Sequence, residues 1–170
     1  MHTIGRARAY LLLLLAILIQ VTFLNRFTIA GSRPDLVLIL VTFYGFFLGG
    51  GAGLESGIVA GFLTDLFALD YFGINMLVYG STGLVAGMLR TNFSDESKKT
   101  QALLVFCCSA FSMCIHYAIA ASFSGGLAFG LFEYLRSCVV PAGIYTAIVS
   151  VPVFTRLTSA YHLREPGEYW

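Results

Sequence analysis

The sequence predicts an all-α polytopic membrane protein whose chain crosses the bilayer about six times. Hydrophobic residues make up 58% of the 170-residue chain and charged residues only 11%, whereas soluble domains carry roughly 25% charged residues. The mean hydropathy of +0.82 agrees with a chain that has too little charge to cover a water-facing surface. Because backbone polar groups in lipid must be satisfied within each segment, the apolar runs predict helices, packed as a single bundle over residues 1–170.

Six apolar runs approach or reach the length needed to cross the hydrocarbon core, about 20 residues. The first is rich in leucine and follows Arg6 and Arg8, as in a signal peptide. No small-x-small cleavage site comes after it, which favours a retained signal-anchor helix. The predicted spans are residues 9–24, 34–48, 52–69, 73–89, 100–121 and 138–154.

The predicted connections differ in length. The stretch LGGGAG joins the second span to the third, and DYF joins the third to the fourth, so neither leaves room for an extramembrane domain. Residues 122–137 form the longest outer connection and alternate glycine with aromatic residues. Aromatic side chains gather at membrane interfaces, so this segment is either a short helix or re-entrant piece on the outer surface or a plain apolar loop.

The distribution of lysine and arginine predicts the orientation of the bundle. If the N-terminus is cytoplasmic, seven of these residues fall on the inner face and three on the outer face, as the positive-inside rule requires. Both termini are then cytoplasmic. The inner set is Arg6, Arg8, Arg90, Lys98, Lys99, Arg156 and Arg164, and the outer set is Arg26, Arg33 and Arg136.

Regularly spaced glycines predict close helix packing, because helices in lipid associate where small residues let the backbones approach. The third span carries a glycine at every fourth position and then Asp65, and the fourth span carries glycines at heptad spacing. We expect both helices to pack closely, against each other or against other helices. The glycines are Gly49, Gly53, Gly57 and Gly61, followed by Gly73, Gly80, Gly83 and Gly87.

The ionisable residues do not predict an enzyme. Glu55 and Asp65 are the acidic residues best placed within a span, but about 15 Å of helix axis separates them, too far for paired-carboxylate catalysis. His116 shares a helix face with Ser109 and Ser112, which favours a polar seam between helices. The cysteines and histidines lack metal-ligand spacing, and the net charge of +1 does not favour nucleic acid. We therefore predict no catalytic residue, metal or cofactor.

Asp65 raises a separate question, because ionisable residues within membrane spans are usually functional. It lies near the outer end of the third span, where a carboxylate can reach head groups or water. Two interpretations stay open: a helix-end or packing residue, or part of an outward-facing cleft or contact surface. An ion or proton pathway centred on Asp65 is a third.

Residues 33–90 resemble the central region of MreD, a family of bacterial rod shape-determining membrane proteins. The resemblance rests on Arg33-Pro34-Asp35-Leu36 at the start of a span, on Gly61-Phe62-Leu63 with Asp65, and on Gly73-Ile74-Asn75 at the start of the next. Family members often carry a basic or polar connection where this chain has GGGAG. The family's fold is similar to the six-helix substrate-binding component of energy-coupling-factor vitamin transporters.

The resemblance implies a non-enzymatic subunit of the bacterial cell-elongation (Rod) complex in the cytoplasmic membrane. The implied partners are MreC, the actin-like MreB (directly or through another subunit), a RodA-type peptidoglycan polymerase and a class B penicillin-binding protein. An alternative is a small-molecule, vitamin-type uptake component of a transporter. The candidate helix-packing or partner-contact residues are Pro34, Asp35, Gly53, Gly57, Gly61, Asp65, Gly73, Asn75, Gly80, Gly83 and Gly87.

Overall fold

The computed structural model describes residues 3–22, 34–67, 72–90, 98–123 and 131–161. These residues are almost entirely helical and include no strand, which confirms the predicted all-α class. A π-helical turn, Leu135–Val139, joins the last two helices into one continuous element. The helices are α1 (Thr3–Thr22), α2 (Leu36–Leu48), α3 (Gly50–Phe67), α4 (Ile74–Leu89), α5 (Lys98–Phe123), α6 (Leu131–Tyr134) and α7 (Val140–Tyr161).

The connection between α2 and α3 is shorter than the predicted LGGGAG turn. Helix α3 begins at Gly50, so Gly49 alone separates the two helices. Gly49 has a φ of +96°, a conformation that glycine adopts without steric cost, and its N–H donates to the carbonyl oxygen of Gly45 at 3.0 Å. The assignment of Gly49 to the third helix was therefore wrong, and the glycine series within α3 starts at Gly53.

The outer connection predicted over residues 122–137 is partly helical. Residues 131–137 form α6 and most of the π-helical turn, which runs directly into α7. The turn precedes Pro141, which has no N–H and whose ring would crowd the carbonyl group one α-helical turn earlier. A wider turn, in which the N–H of Val140 donates to Leu135, accommodates the proline. Residues 124–130 lie outside the described residues, so their position at the membrane surface stays a prediction.

Helix α2 occupies the centre of the bundle. It contacts α1, α3, α4, α5 and α7, and every residue from Val37 to Phe47 is buried. Its 13 residues span only about 20 Å, less than the roughly 30 Å of the hydrocarbon core. Because neighbouring helices enclose α2, its polar ends can lie at membrane depth without facing lipid.

Two helical segments in the described part of the chain are long and apolar enough to cross a membrane, Lys98–Ile119 and Leu135–Ala160. Three others are apolar but shorter: Ala7–Thr22, Leu36–Leu48 and Ile74–Leu89. The number of spans and their orientation therefore stay predictions from the sequence.

Candidate functional site: the α3–α4 hairpin and its polar end

Helices α3 and α4 contact each other more extensively than any other pair among the described elements. Glycine makes this possible, because backbone lies directly on backbone. A Cβ atom at Gly57 would lie 2.2 Å from the carbonyl oxygen of Tyr79, and one at Gly61 would lie 2.3 Å from the Cα of Met76. Real Cβ atoms are not found at such distances, so the two positions accept no side chain while the helices keep this spacing.

Three glycines from three helices meet at one point of the bundle. A Cβ at Gly83 would lie 2.1 Å from the carbonyl oxygen of Gly53, and a Cβ at Gly53 would lie 2.6 Å from the Cα of Gly45. A Cβ at Gly45 would lie 2.4 Å from the carbonyl oxygen of Gly83. Sequence reasoning missed Gly45, although it lies four residues before Gly49 and continues the same spacing, which was the available signal.

The heptad-spaced glycines of the fourth span have different roles. Gly87 packs on α3, where a Cβ would lie 2.2 Å from the Cα of Gly50. At Gly80 the nearest atom is a side-chain carbon of Ile58, 3.2 Å away. Gly73 has open space around it and a φ of +99°. It ends the turn before α4 and does not pack on a neighbouring helix.

Asp65 completes the start of α4 from the end of α3. Its carboxylate accepts hydrogen bonds from the backbone N–H groups of Gly73 (3.0 Å), Asn75 (3.3 Å) and Met76 (3.3 Å), and from the Asn75 amide (2.7 Å). The first N–H groups of a helix have no partner within the helix, and Gly73 has no side chain to supply one. A negative charge also interacts favourably with a helix N-terminus. This cap across the hairpin explains why a buried carboxylate stands in an apolar segment.

Asp35 performs the same task for α2 and joins further helices to it. Its carboxylate accepts from the backbone N–H of Leu38 (3.0 Å), from the Tyr79 hydroxyl (2.8 Å) and from the Gln20 side chain (3.3 Å). Its own N–H donates to the Thr146 hydroxyl at 3.4 Å. Side chains of α1, α4 and α7 therefore converge on the start of α2. Pro34, which is buried, directly precedes this cap.

Sequence reasoning missed Gln20, Tyr79 and Thr146 as partners of Asp35. The only signal was that each is a polar residue within an apolar run, and side-chain spacing on one helix does not reveal contacts between helices. Gln20 also accepts a hydrogen bond from the first turn of α2, because the N–H of Val37 donates to its side-chain oxygen at 3.2 Å.

Some other polar side chains of α1, α3 and α5 are also buried or half-buried. The Tyr10 hydroxyl donates to the Glu55 carboxylate, which ties α1 to α3. On α5, Ser109 and Ser112 are buried and His116 is half-buried. Among the described residues, no group of three or more His, Cys, Asp or Glu side chains could hold a metal ion. The hydrogen bonds between these polar groups hold helices together.

The Asp35–Tyr79 contact can be tested by removing one hydroxyl. We expect Tyr79→Phe to lower the free energy of unfolding by about 2 kcal/mol, because it leaves a carboxylate oxygen in the bundle without its donor. Thermal denaturation of the purified protein in detergent measures the change. The matched control is Tyr145→Phe, at a half-buried tyrosine of α7. Equal stability of the two variants would contradict a contribution from this hydrogen bond.

The comparison with protein families identifies the chain. The model of the family described as rod shape-determining protein MreD matches residues 1–158. No curated protein and no solved structure matches the chain, so the similarity to the transporter component stays a prediction. The matched family is one of shape-determining membrane proteins and is not a known enzyme family. Because the match covers almost the whole sequence, the chain belongs to the MreD family of rod shape-determining membrane proteins.

Proposed function

We propose that this protein is a non-enzymatic, multi-pass subunit of the bacterial cell-elongation (Rod) complex in the cytoplasmic membrane, with both termini cytoplasmic. It organises peptidoglycan synthesis through contacts with MreC, with a RodA-type polymerase and with a class B penicillin-binding protein, while MreB is reached directly or through another subunit. Membership of the MreD family supports the role in rod shape. The distribution of lysine and arginine supports the orientation.

The observation that carries a scaffold function is the use of the Asp35 and Asp65 carboxylates. Asp65 is bonded to the start of α4 and Asp35 to the start of α2. Both therefore stabilise helix positions. Together with the backbone contact between α3 and α4, they make a rigid bundle, as a subunit that positions other membrane proteins requires.

The side of α3 that adjoins its glycine series offers a surface for such contacts. Leu54, Ile58, Phe62 and Leu66 are all exposed, each 37% or more. They recur at every fourth position and so form one continuous stripe. In the proposed complex this stripe faces lipid or a helix of another subunit, and the rigid α3–α4 pair keeps its shape constant.

The proposal is tested in rod-shaped bacteria depleted of their own MreD-family protein. We expect the tagged wild-type chain to restore rod shape and to co-purify with MreC and the polymerase subunits. Gly51→Ala should behave as wild type, since Gly51 has open space around it, whereas Gly83→Ala should fail in both assays at equal expression.

Two results would count against this function. The first is unchanged rod shape after depletion together with the absence of MreC-like or polymerase partners from the purified material. The second is a stoichiometric small molecule in the native mass spectrum, which would favour the alternative uptake component.

A further inference from the structure

An open groove separates α1 from α7. Each of these helices packs against α2, but within the described residues they do not contact each other. The gap between them has a volume of about 360 Å³. Leu36 and Leu40 of α2 form its floor, Leu12, Leu15 and Ile19 one wall, and Pro152 and Val153 the other. In a membrane protein an apolar groove on the outside of the bundle opens directly to lipid.

The groove has a positive charge at one end. Arg156 lines it, one helical turn after Pro152, and its side chain is exposed. Arg8 lies one turn before Leu12, so it shares the face of α1 that lines the groove, and it is also exposed. Neither arginine forms an ion pair with another residue of the described part of the chain.

Helix direction places both arginines at the same end of the groove. Asp35 lies beside Thr146 and Phe43 beside Phe154, so α2 and α7 run in the same direction. Gln20, near the end of α1, lies beside Asp35 at the start of α2, so α1 runs in the opposite direction. The start of α1, with Arg8, and the end of α7, with Arg156, therefore lie at the same end of the groove.

We propose that this groove binds an anionic phospholipid, with an acyl chain along its apolar walls and the head-group phosphate at Arg156 and Arg8. Arginine suits this role because its guanidinium group forms two parallel hydrogen bonds with a phosphate. Basic pockets between membrane helices bind anionic head groups in this way. The apolar helix of another protein would fill the groove but leave two cations without a counter-charge, and a soluble anion would leave the apolar walls empty.

The site depends on the membrane location of the MreD family and not on the proposed contacts with Rod subunits. By the positive-inside rule, the arginine end faces the cytoplasmic leaflet. The lipid would then fill the space between α1 and α7 and complete the shell of helices around α2.

Native mass spectrometry of the delipidated full-length chain in detergent tests the site. The probes are dioleoyl phosphatidylglycerol and dioleoyl phosphatidylcholine, which share their acyl chains but differ in head-group charge. We expect the wild type to bind phosphatidylglycerol more tightly. Arg156→Gln should reduce that preference about fivefold. The double variant with Arg8→Gln should reduce it about 25-fold, because each arginine contributes roughly the same binding free energy. Arg90→Gln, at the end of α4, removes a charge that does not border the groove and should keep the preference.

A groove-filling variant distinguishes a lipid from a simple anion. Leu15→Trp, at a wall residue that is 49% exposed, should weaken binding of both lipids, and its melting temperature in detergent shows whether it is folded. Equal binding of the two lipids by the wild type, or an equal loss in Arg156→Gln and Arg90→Gln, would overturn the proposal. Displacement of the lipid by glycerol phosphate at similar concentration would show an anion site without an acyl-chain groove and would also overturn it. Failure to find Rod subunits as partners would leave all these outcomes unchanged.

Discussion

Replacing Gly57 or Gly83 by alanine is expected to destabilise the bundle by about 3 kcal/mol or more. Overpacking a well-packed interior usually costs about 1–3 kcal/mol, and here the added Cβ meets backbone that cannot change rotamer. At Gly57 it would lie 2.2 Å from the carbonyl oxygen of Tyr79, and at Gly83 it would lie 2.1 Å from that of Gly53. Thermal denaturation in detergent and the amount of folded protein in the membrane measure the effect.

Two other glycines of the hairpin serve as controls for this prediction. Gly51 lies in α3 with nothing within 4 Å of an added Cβ, so Gly51→Ala should be neutral or stabilise by up to about 1 kcal/mol through helix propensity. Gly80→Ala should have an intermediate effect, because its nearest neighbour is a side-chain carbon of Ile58 that can move. A melting temperature for Gly57→Ala equal to that for Gly51→Ala would show that α3 and α4 are not in backbone contact.

Removing the cap of α4 is expected to have the second large effect. Asp65→Ala should lower the free energy of unfolding by about 3 kcal/mol, because the carboxylate accepts from Gly73, Asn75 and Met76 and buried donors that lose their acceptor are costly. Asp65→Asn should cost less, since one acceptor oxygen remains. Amide hydrogen exchange at Gly73, Asn75 and Met76 should become faster in both variants. Thermal denaturation shows which of the two variants is less stable.

The same variants distinguish a cap from an ion or proton pathway. If Asp65 carried protons or ions, Asp65→Asn would abolish function while the protein kept its melting temperature. If Asp65 is a cap, each variant should lose rod-shape complementation in proportion to its loss of stability. Asp65→Asn should then lie between Asp65→Ala and the wild type in both measurements. Thr64→Ala is the matched control, because the Thr64 hydroxyl bonds within α3, to the carbonyl oxygen of Ala60, and its removal should change little.

The class of this protein follows from its sequence for a general reason. A chain with so few charged residues cannot cover itself with polar surface, and a long continuous apolar run in lipid satisfies its own backbone polar groups by forming a helix. The resemblance of residues 33–90 to the MreD family was also visible in the sequence, and the family comparison extends it to residues 1–158. The regular glycine spacing indicated close packing, because glycine at every fourth position lines one side of a helix.

The sequence left open which helices those glycines join. Gly53 and Gly83 are 30 positions apart, yet each lies on the backbone of the other's helix, and Gly45 joins them from α2. The spacing of glycines along one helix shows which face of that helix can pack closely. Which other helix packs on that face depends on how all the helices assemble. The sequence also did not show that Gly49 alone separates α2 from α3. One residue of positive φ is enough to turn the chain there.

The sequence by itself therefore determined the helical membrane class, the family and the helix faces that carry glycine. Only the tertiary structure decided what the carboxylates of Asp35 and Asp65 do. Asp65 caps the helix that follows it, and Asp35 caps α2 while Tyr79 and Gln20 donate to it from two other helices. The physical reason is that a helix end needs an acceptor close in space. Any chain segment can supply that acceptor, so the identity of the donor and acceptor is set only when the helices assemble.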